Sequence, residues 1–499
     1  MSWEPVSFFP LRALDSASYY AHTLVYEALI RYDASLNVVP CLADSFQISP
    51  DRLQYRFHLR PGIKFSSGEA VTVNDVVASI EQAAGPGSPY RADYEDIAGI
   101  QVAGERTVVL RLSRVCAPLL SRLVELRILP ARFLLLPDHG RKLLSRQPVG
   151  TGPFRLRSWQ AGSELVFEAN PHYWARPPAC RQLIWRVVPE RTLIALALAN
   201  GELDVAQIEA AAWKGLPSRK LKQQLVLERF PGARTVYLGF NLRWPPFDNQ
   251  LVRQAISLAI NRKAIAEELY DGFATPARSD FATAGWTFSS KARLWPYDRA
   301  ACRKTLAQAG FRWLGRRWYQ AGAGGRLARS GSTPAPLAFS ILTVKDYREV
   351  AEAVAADLKA VGIPTEVQLA EFSTLRQRHL QAGQFQTVIW SRSTGPDPDC
   401  LLSWHSRGPL NFSRYSSARV DQLLEQGRRQ TEPDRRRVVY QEIQQTLSET
   451  VPWAFLVHPE LLIAHRQAIK NVEMGHQNKT GLPWDNPLFN AANWTKSVD

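Results

Sequence analysis

Apolar residues along this chain switch repeatedly between two spacings. In AHTLVYEALIRYD (21–33) they recur every three or four residues, which predicts an amphipathic helix. In LQYRFHLRPGIKF (53–65), Tyr55, Phe57 and Leu59 alternate with Gln54, Arg56 and His58, which predicts a half-buried strand stopped by the Pro61-Gly62 turn. VTVNDVVASIEQA (71–83) reads as a helix with Thr72 or Asn74 at its cap, ERTVVLRLS (105–113) as a strand and APLLSRLVEL (117–126) as a helix. PVGTGPFRLRSW (148–159) then sets a glycine-rich turn directly before a strand, and SELVFEANPHYW (163–174) alternates again. RTLIALALANGELDVAQI (191–208) gives a helix, a glycine stop and a strand.

The second half repeats the alternation. RTVYLGFNLRWPPFDN (234–249) is a strand ended by Pro-Pro, and QLVRQAISLAINRKAIAEELY (250–270) a helix. Residues 310–337, rich in Gly, Ser and Arg, predict an exposed loop or ribbon. LAFSILTV, YREVAEAVAADLKAVG and PTEVQLAE form a strand–helix–strand unit with a parallel crossover. QTVIWSRSTGPDPDCLLSW (386–404) is a buried strand running into a polar loop; two helices follow, then PWAFLVHPELLIAH (452–465) as a strand. There is no internal repeat, so the pattern predicts an α/β protein of at least two lobes.

Composition narrows the classes. A chain of 499 residues exceeds the usual size of one core, which predicts two or three domains. No apolar run approaches the roughly 18 residues of a membrane-spanning helix. The net charge of +15 comes from scattered arginines; the densest runs, at 315–318 and 434–440, are short and accompany no nucleic-acid-binding motif, so they read as a solvated surface. Five cysteines (Cys41, Cys116, Cys180, Cys302, Cys400) form no CxxC pair, which indicates neither a zinc site nor a dense disulfide framework. GxSxG, P-loop, HExxH and strand-following GxGxxG motifs are missing, so no catalytic residue is assigned. The first fifteen residues lack the charged and apolar regions of a secretory leader, which leaves either a cytoplasmic protein or a shortened chain.

Seven stretches in order carry a resemblance: LVYEALIRYD (24–33), the run 38–80, PVGTGPFRLRSW, EANPHYW (168–174), GELDVA (201–206), the run 238–265 and PDPD (396–399). Together they resemble the peptide/nickel-type (family 5) extracellular solute-binding proteins of ABC importers. The resemblance implies a two-lobe, hinge-closing periplasmic-binding-protein fold of the large three-subdomain class. It implies a first lobe of 1–35, 150–233 and 456–499, a subdomain inserted at 36–149 and a second lobe at 234–455. In the family the PVGTGPF turn is where the chain re-enters the first lobe; its glycines would supply positive φ or close packing. Function would be capture of a solute, with no bond made or broken, and partners would be the membrane permease and no nucleic acid. The protein would be a monomer in the periplasm or a cell-surface lipoprotein.

Family members that hold free peptides are expected to place an Asp three residues after the Trp of this chain's TVIW strand. Here Ser393 follows Trp390 at that spacing, which leaves Asp397 as the alternative amine anchor. The nickel-binding branch is similar in SWEPVSFFPL and LVYEAL and uses an arginine matching Arg127 and another matching Arg392. Those guanidiniums would fork onto carboxylates of an anionic chelator or modified peptide. Tyr19, Tyr90, Trp390, Thr394 and Trp404 complete the expected ligand contacts, with His405 a candidate metal contact. No cofactor is implied; a metal such as nickel would arrive chelated, as part of the cargo. The readings kept beside this one are a conventional di- or oligopeptide-binding protein and, from another class, a cytoplasmic ligand-sensing domain of a transcriptional regulator.

Overall fold

The computed structural model describes residues 4–12, 15–33, 35–190, 192–215, 224–321, 336–472, 486–488 and 490–496. Two compact units emerge: residues 1–230 with 461–499, and residues 231–460, so the chain passes from one to the other at 230/231 and again at 460/461.

In the first unit the strand Gln54–Leu59 buries Tyr55, Phe57 and Leu59, as its alternation predicts. It sits inside a four-stranded antiparallel sheet in the order Ala43–Ile48, Gln54–Leu59, Thr107–Leu112, Ile97–Val102. Helix Val73–Ala84 packs nearby, capped at Thr72, whose N–H donates to the Asp75 carboxylate (2.8 Å). A second antiparallel sheet runs Phe154–Gln160, Glu164–Ala169, Gln182–Arg186, and a third places Leu461–Arg466 between Val205–Gln207 and Leu225–Phe230. One continuous apolar core joins these layers.

The glycines of PVGTGPF are there for close approach, since neither has a positive φ. A Cβ on Gly150 would lie 2.1 Å from the Val25 carbonyl oxygen, and one on Gly152 would lie 2.6 Å from the Val25 carbonyl carbon. Instead the Gly152 N–H donates to Val25 O (2.8 Å) and the strand starts two residues on.

The second unit is built on one mixed sheet, ordered Ala274–Pro276, Trp453–Pro459, Arg234–Phe240, Thr387–Ser393, Phe339–Thr343, Thr365–Leu369. The last three strands are parallel, through the crossover helix Arg348–Ala360, as the pattern predicts. Alternation on the central strands supplies two cores. Val236, Leu238, Ala454 and Leu456 face the helices Gln250–Ala259 and Arg348–Ala360; Tyr237, Trp453 and Phe455 face the helices Ala418–Arg429 and Pro433–Thr450.

Four expectations shift. The first helix covers Ser16–Val25, capped by Asp15, whose carboxylate accepts the Ser18 N–H; Ile30–Tyr32 is a strand. Residues 163–174 leave the strand at Ala169, because Asn170 turns the chain by accepting the His172 N–H. The helix from Gln250 stops at Ala259, and Asn261 caps a new short turn. PWAFLVHPELLIAH is two strands, Trp453–Pro459 and Leu461–Arg466, which belong to different units. Within 310–337 a hairpin, Phe311–Leu314 with Arg317–Gln320, precedes residues 322–335, which lie outside the described residues.

Candidate functional site

The predicted contacts fall into two groups, one in each unit. In the first unit, helix Ser16–Val25 presents Tyr19, and Arg127 stands just past the helix Leu119–Glu125. The Tyr19 hydroxyl donates to Glu125 Oε1 (3.3 Å), Arg127 Nη2 lies 3.6 Å from Glu125 Oε2, and the guanidinium is 5.9 Å from the centre of the Tyr19 ring. Arg127 also donates to Val124 O (3.3 Å). Burial first, and then the Glu125 charge, raise the Tyr19 hydroxyl well above its ordinary pKa, so it remains a donor. Tyr90 precedes the short helix Arg91–Tyr94 and packs half-buried on the same core.

In the second unit, the strand Thr387–Ser393 carries Trp390 and Arg392. Trp390 is half-buried between Phe372 (5.5 Å between ring centres) and Tyr347 (6.3 Å), and the Tyr347 hydroxyl donates to Ser391 Oγ (2.6 Å). Arg392 Nη1 is paired with Asp280 Oδ2, and the Trp404 indole N–H donates to the same oxygen (2.8 Å). Thr394 closes the strand end, its N–H (2.9 Å) and hydroxyl (3.2 Å) both donating to Ala233 O.

Three expected roles change with this geometry. Trp404 is fully buried and packs on Trp453 (4.2 Å) and Tyr415 (6.1 Å), so it supports Asp280 from inside the core rather than lining a pocket. Asp397 is gripped in two places by Arg436 (2.6 and 2.8 Å) and accepts the Asp399 N–H (2.9 Å), so its charge is committed within the fold and it is no open anchor for an amine. Arg428 Nε donates to Asp399 Oδ2 (3.0 Å), and the two arginines fasten the PDPD loop to the helices behind it. His405 accepts the Arg407 N–H at Nδ1 (3.1 Å), its Nε2 lies 3.7 Å from Glu425 Oε1, and the ring stands in no cluster of ligands among the described residues. Among the described residues no group of three His, Cys, Asp or Glu side chains is placed to hold a metal ion.

The sequence reading missed the counter-ions. Glu125 stands two residues before Arg127 at a helix end and was visible there. Asp280, 112 positions from Arg392, leaves no local signal.

Residues 37–412 match the profile of the bacterial extracellular solute-binding proteins, family 5. Heme-binding protein A of Haemophilus influenzae is 27% identical over 487 residues, covering 91% of this chain and 85% of its own. Among solved structures, the oligopeptide-binding protein AppA of Bacillus subtilis, in complex with a nonapeptide, superposes with a TM-score of 0.87 at 23% identity, covering 100% of this chain and 98% of its own. NikZ of Campylobacter jejuni, in complex with Ni(L-His), gives 0.84 at 22% identity, covering 99% and 98%. The fold is therefore the two-lobe periplasmic-binding-protein fold of those structures. The chain belongs to the bacterial extracellular solute-binding proteins, family 5, the substrate-binding proteins of ABC importers, and is a transport protein rather than an enzyme.

Proposed function

We propose that the cargo is a short peptide or modified peptide, contacted by arginine and aromatic groups and delivered to the membrane permease by a monomer working outside the cytoplasm. The observation that carries this reading is Arg127, largely covered and set over the Tyr19 ring in the first unit; in the second, Arg392, also largely covered, lies on the same strand as Trp390 and two residues from it. Guanidiniums so placed hold carboxylate or amide oxygens in fixed directions, and the rings cover the apolar parts of a ligand. Peptide binding by AppA, a structural neighbour across the whole chain, agrees with it. Ligand capture would act by stabilising a closed form that the permease recognises.

A nickel-type chelate is the second reading, supported by the sequence match of Arg127 to the nickel-binding branch and by the likeness to NikZ in complex with Ni(L-His). In that case the metal is cargo and its ligands come from the chelator.

Native mass spectrometry of gently purified protein, with metal analysis of the same sample, separates the two. A ladder of peptide masses without metal supports the first reading. A single small chelator mass with stoichiometric nickel, lost in Arg127→Ala, replaces it with the second.

A further inference from the structure

Arg392 is the cation that the second unit offers at the candidate site, yet it already has an anion. Asp280 is completely buried, and its Oδ2 receives both Arg392 Nη1 and the Trp404 indole N–H. The carboxylate is held rigidly. The Ala277 N–H donates to Leu456 O (2.9 Å), the Ser279 hydroxyl to Gln444 Oε1 (3.2 Å), and Ala277 and Phe281 on either side are core residues. Its other oxygen, Oδ1, is buried without a hydrogen-bond partner in the protein. A carboxylate so poorly solvated depends on its one cation, so little is gained by giving Arg392 away.

We infer that Asp280 is a specificity-determining positioning residue: it occupies, from within the chain, the anion position that Arg392 would otherwise present to a ligand. The Asp280–Arg392 pair carries no net charge. A ligand carboxylate aimed at this point must displace a buried carboxylate, and would leave that carboxylate without its counter-ion. A neutral group, such as a peptide carbonyl or amide, needs no displacement, because Arg392 is 18% exposed and a guanidinium has more N–H donors than the pair uses. The second unit therefore selects against a carboxylate at this point and accepts a neutral polar group. This rests on the reading above that Arg392 faces the cargo.

The test needs no knowledge of the cargo, because inorganic sulfate can serve as the anion. Thermal midpoints are measured with and without sulfate at matched ionic strength for wild type, Asp280→Asn, Asp280→Glu, Arg392→Gln and the Asp280→Asn/Arg392→Gln double variant. Sulfate also stabilises folded proteins by exclusion from their surface, so the difference between variants is what is read. The expected result is an additional upward shift of roughly 2–4 °C in Asp280→Asn, growing with the logarithm of sulfate concentration. That shift should vanish in the double variant and stay absent in Asp280→Glu, where the internal anion is kept; a merely structural role would not produce this pattern.

If wild type already shows a sulfate shift that Arg392→Gln removes, Arg392 is open to anions in spite of Asp280. The inference then falls while the reading of Arg392 as a cargo contact stands. If no variant changes the sulfate response, Arg392 faces no accessible site and both fall. Should Asp280→Asn fail to fold, phenylglyoxal mapping of the wild type decides: protection of Arg392 relative to Arg127, which is no more exposed, supports the inference, and equal reactivity overturns it.

Discussion

Arg127 and Arg392 are nearly alike in cover, with side chains 12% and 18% exposed, yet they are compensated in different ways. The partner of Arg127 is Glu125, two residues away, 21% exposed and 3.6 Å distant. The partner of Arg392 is Asp280, far away in sequence and wholly buried. The burial of the anion, more than that of the cation, decides how firmly each pair is locked. A partly exposed glutamate can release its arginine to a ligand at smaller cost than a wholly buried aspartate can. The first unit thus offers an adaptable cation and the second a fixed, neutralised one.

The strongest way to break this contrast is to remove the fixed cation. Arg392→Gln leaves Asp280 buried with no counter-ion and is expected to cost about 3–5 kcal/mol in urea unfolding, most of it recovered when Asp280→Asn is added. A cost below about 1 kcal/mol would mean that Asp280 is not locked. Next in size is Gly150→Ala in the first unit, whose new Cβ would fall 2.1 Å from a backbone oxygen and 2.6 Å from the Tyr26 ring. Main chain cannot swing aside as a flexible side chain does, so about 1–3 kcal/mol is expected by the same measurement.

Legibility in the sequence follows the range of the interaction responsible. The strand Gln54–Leu59, the capped helix from Val73 and the parallel crossover around Arg348–Ala360 were readable because their signal lies within a few residues. The division at 460/461 was not: His458-Pro459-Glu460 interrupts the apolar run there, but such a break does not say that the halves join different sheets. Arg127, Arg392 and Trp390 were singled out through a resemblance, which says nothing of the partners each meets in the fold. The charge of Asp397 looked available in the sequence and is taken by Arg436 from a later helix, as that of Asp399 is by Arg428.

Acid and base sharpen the comparison from another side. Buried Glu27 in the first unit accepts from the Trp174 indole (2.6 Å) and the Tyr173 hydroxyl (3.2 Å), yet burial outweighs these bonds and raises its carboxyl above the ordinary 4.5. The protonated form is the one the fold favours. Its contribution is whole below about pH 4.5 and is lost as pH rises through the folded value. Buried His458 in the second unit, hydrogen-bonded to Thr235 Oγ1 (3.0 Å), is pushed down to about 4 by burial. Its neutral form is favoured, so its contribution is present above about pH 6.5 and is lost as pH falls towards 4, by up to about 1.4 kcal/mol per pH unit. Relative to wild type, Glu27→Gln should therefore gain stability as pH rises from 5 to 8, and His458→Asn should gain as pH falls from 6.5 to 4. Urea midpoints across that range check both signs, and parallel curves for either variant would refute its assignment.

The smallest effect is expected at Arg127. Arg127→Gln removes a 3.6 Å ion pair to a partly exposed glutamate, which keeps the Tyr19 hydroxyl as donor and part of its hydration, so less is lost than at the wholly buried Asp280. Its urea midpoint should move by less than about 1 kcal/mol. Cargo retention in native mass spectrometry should nevertheless fall, because an arginine that the fold can spare is one that a ligand can use. If Arg127→Gln destabilises the protein as much as Arg392→Gln does, Glu125 is as locked as Asp280 and the two units offer the cargo the same kind of surface.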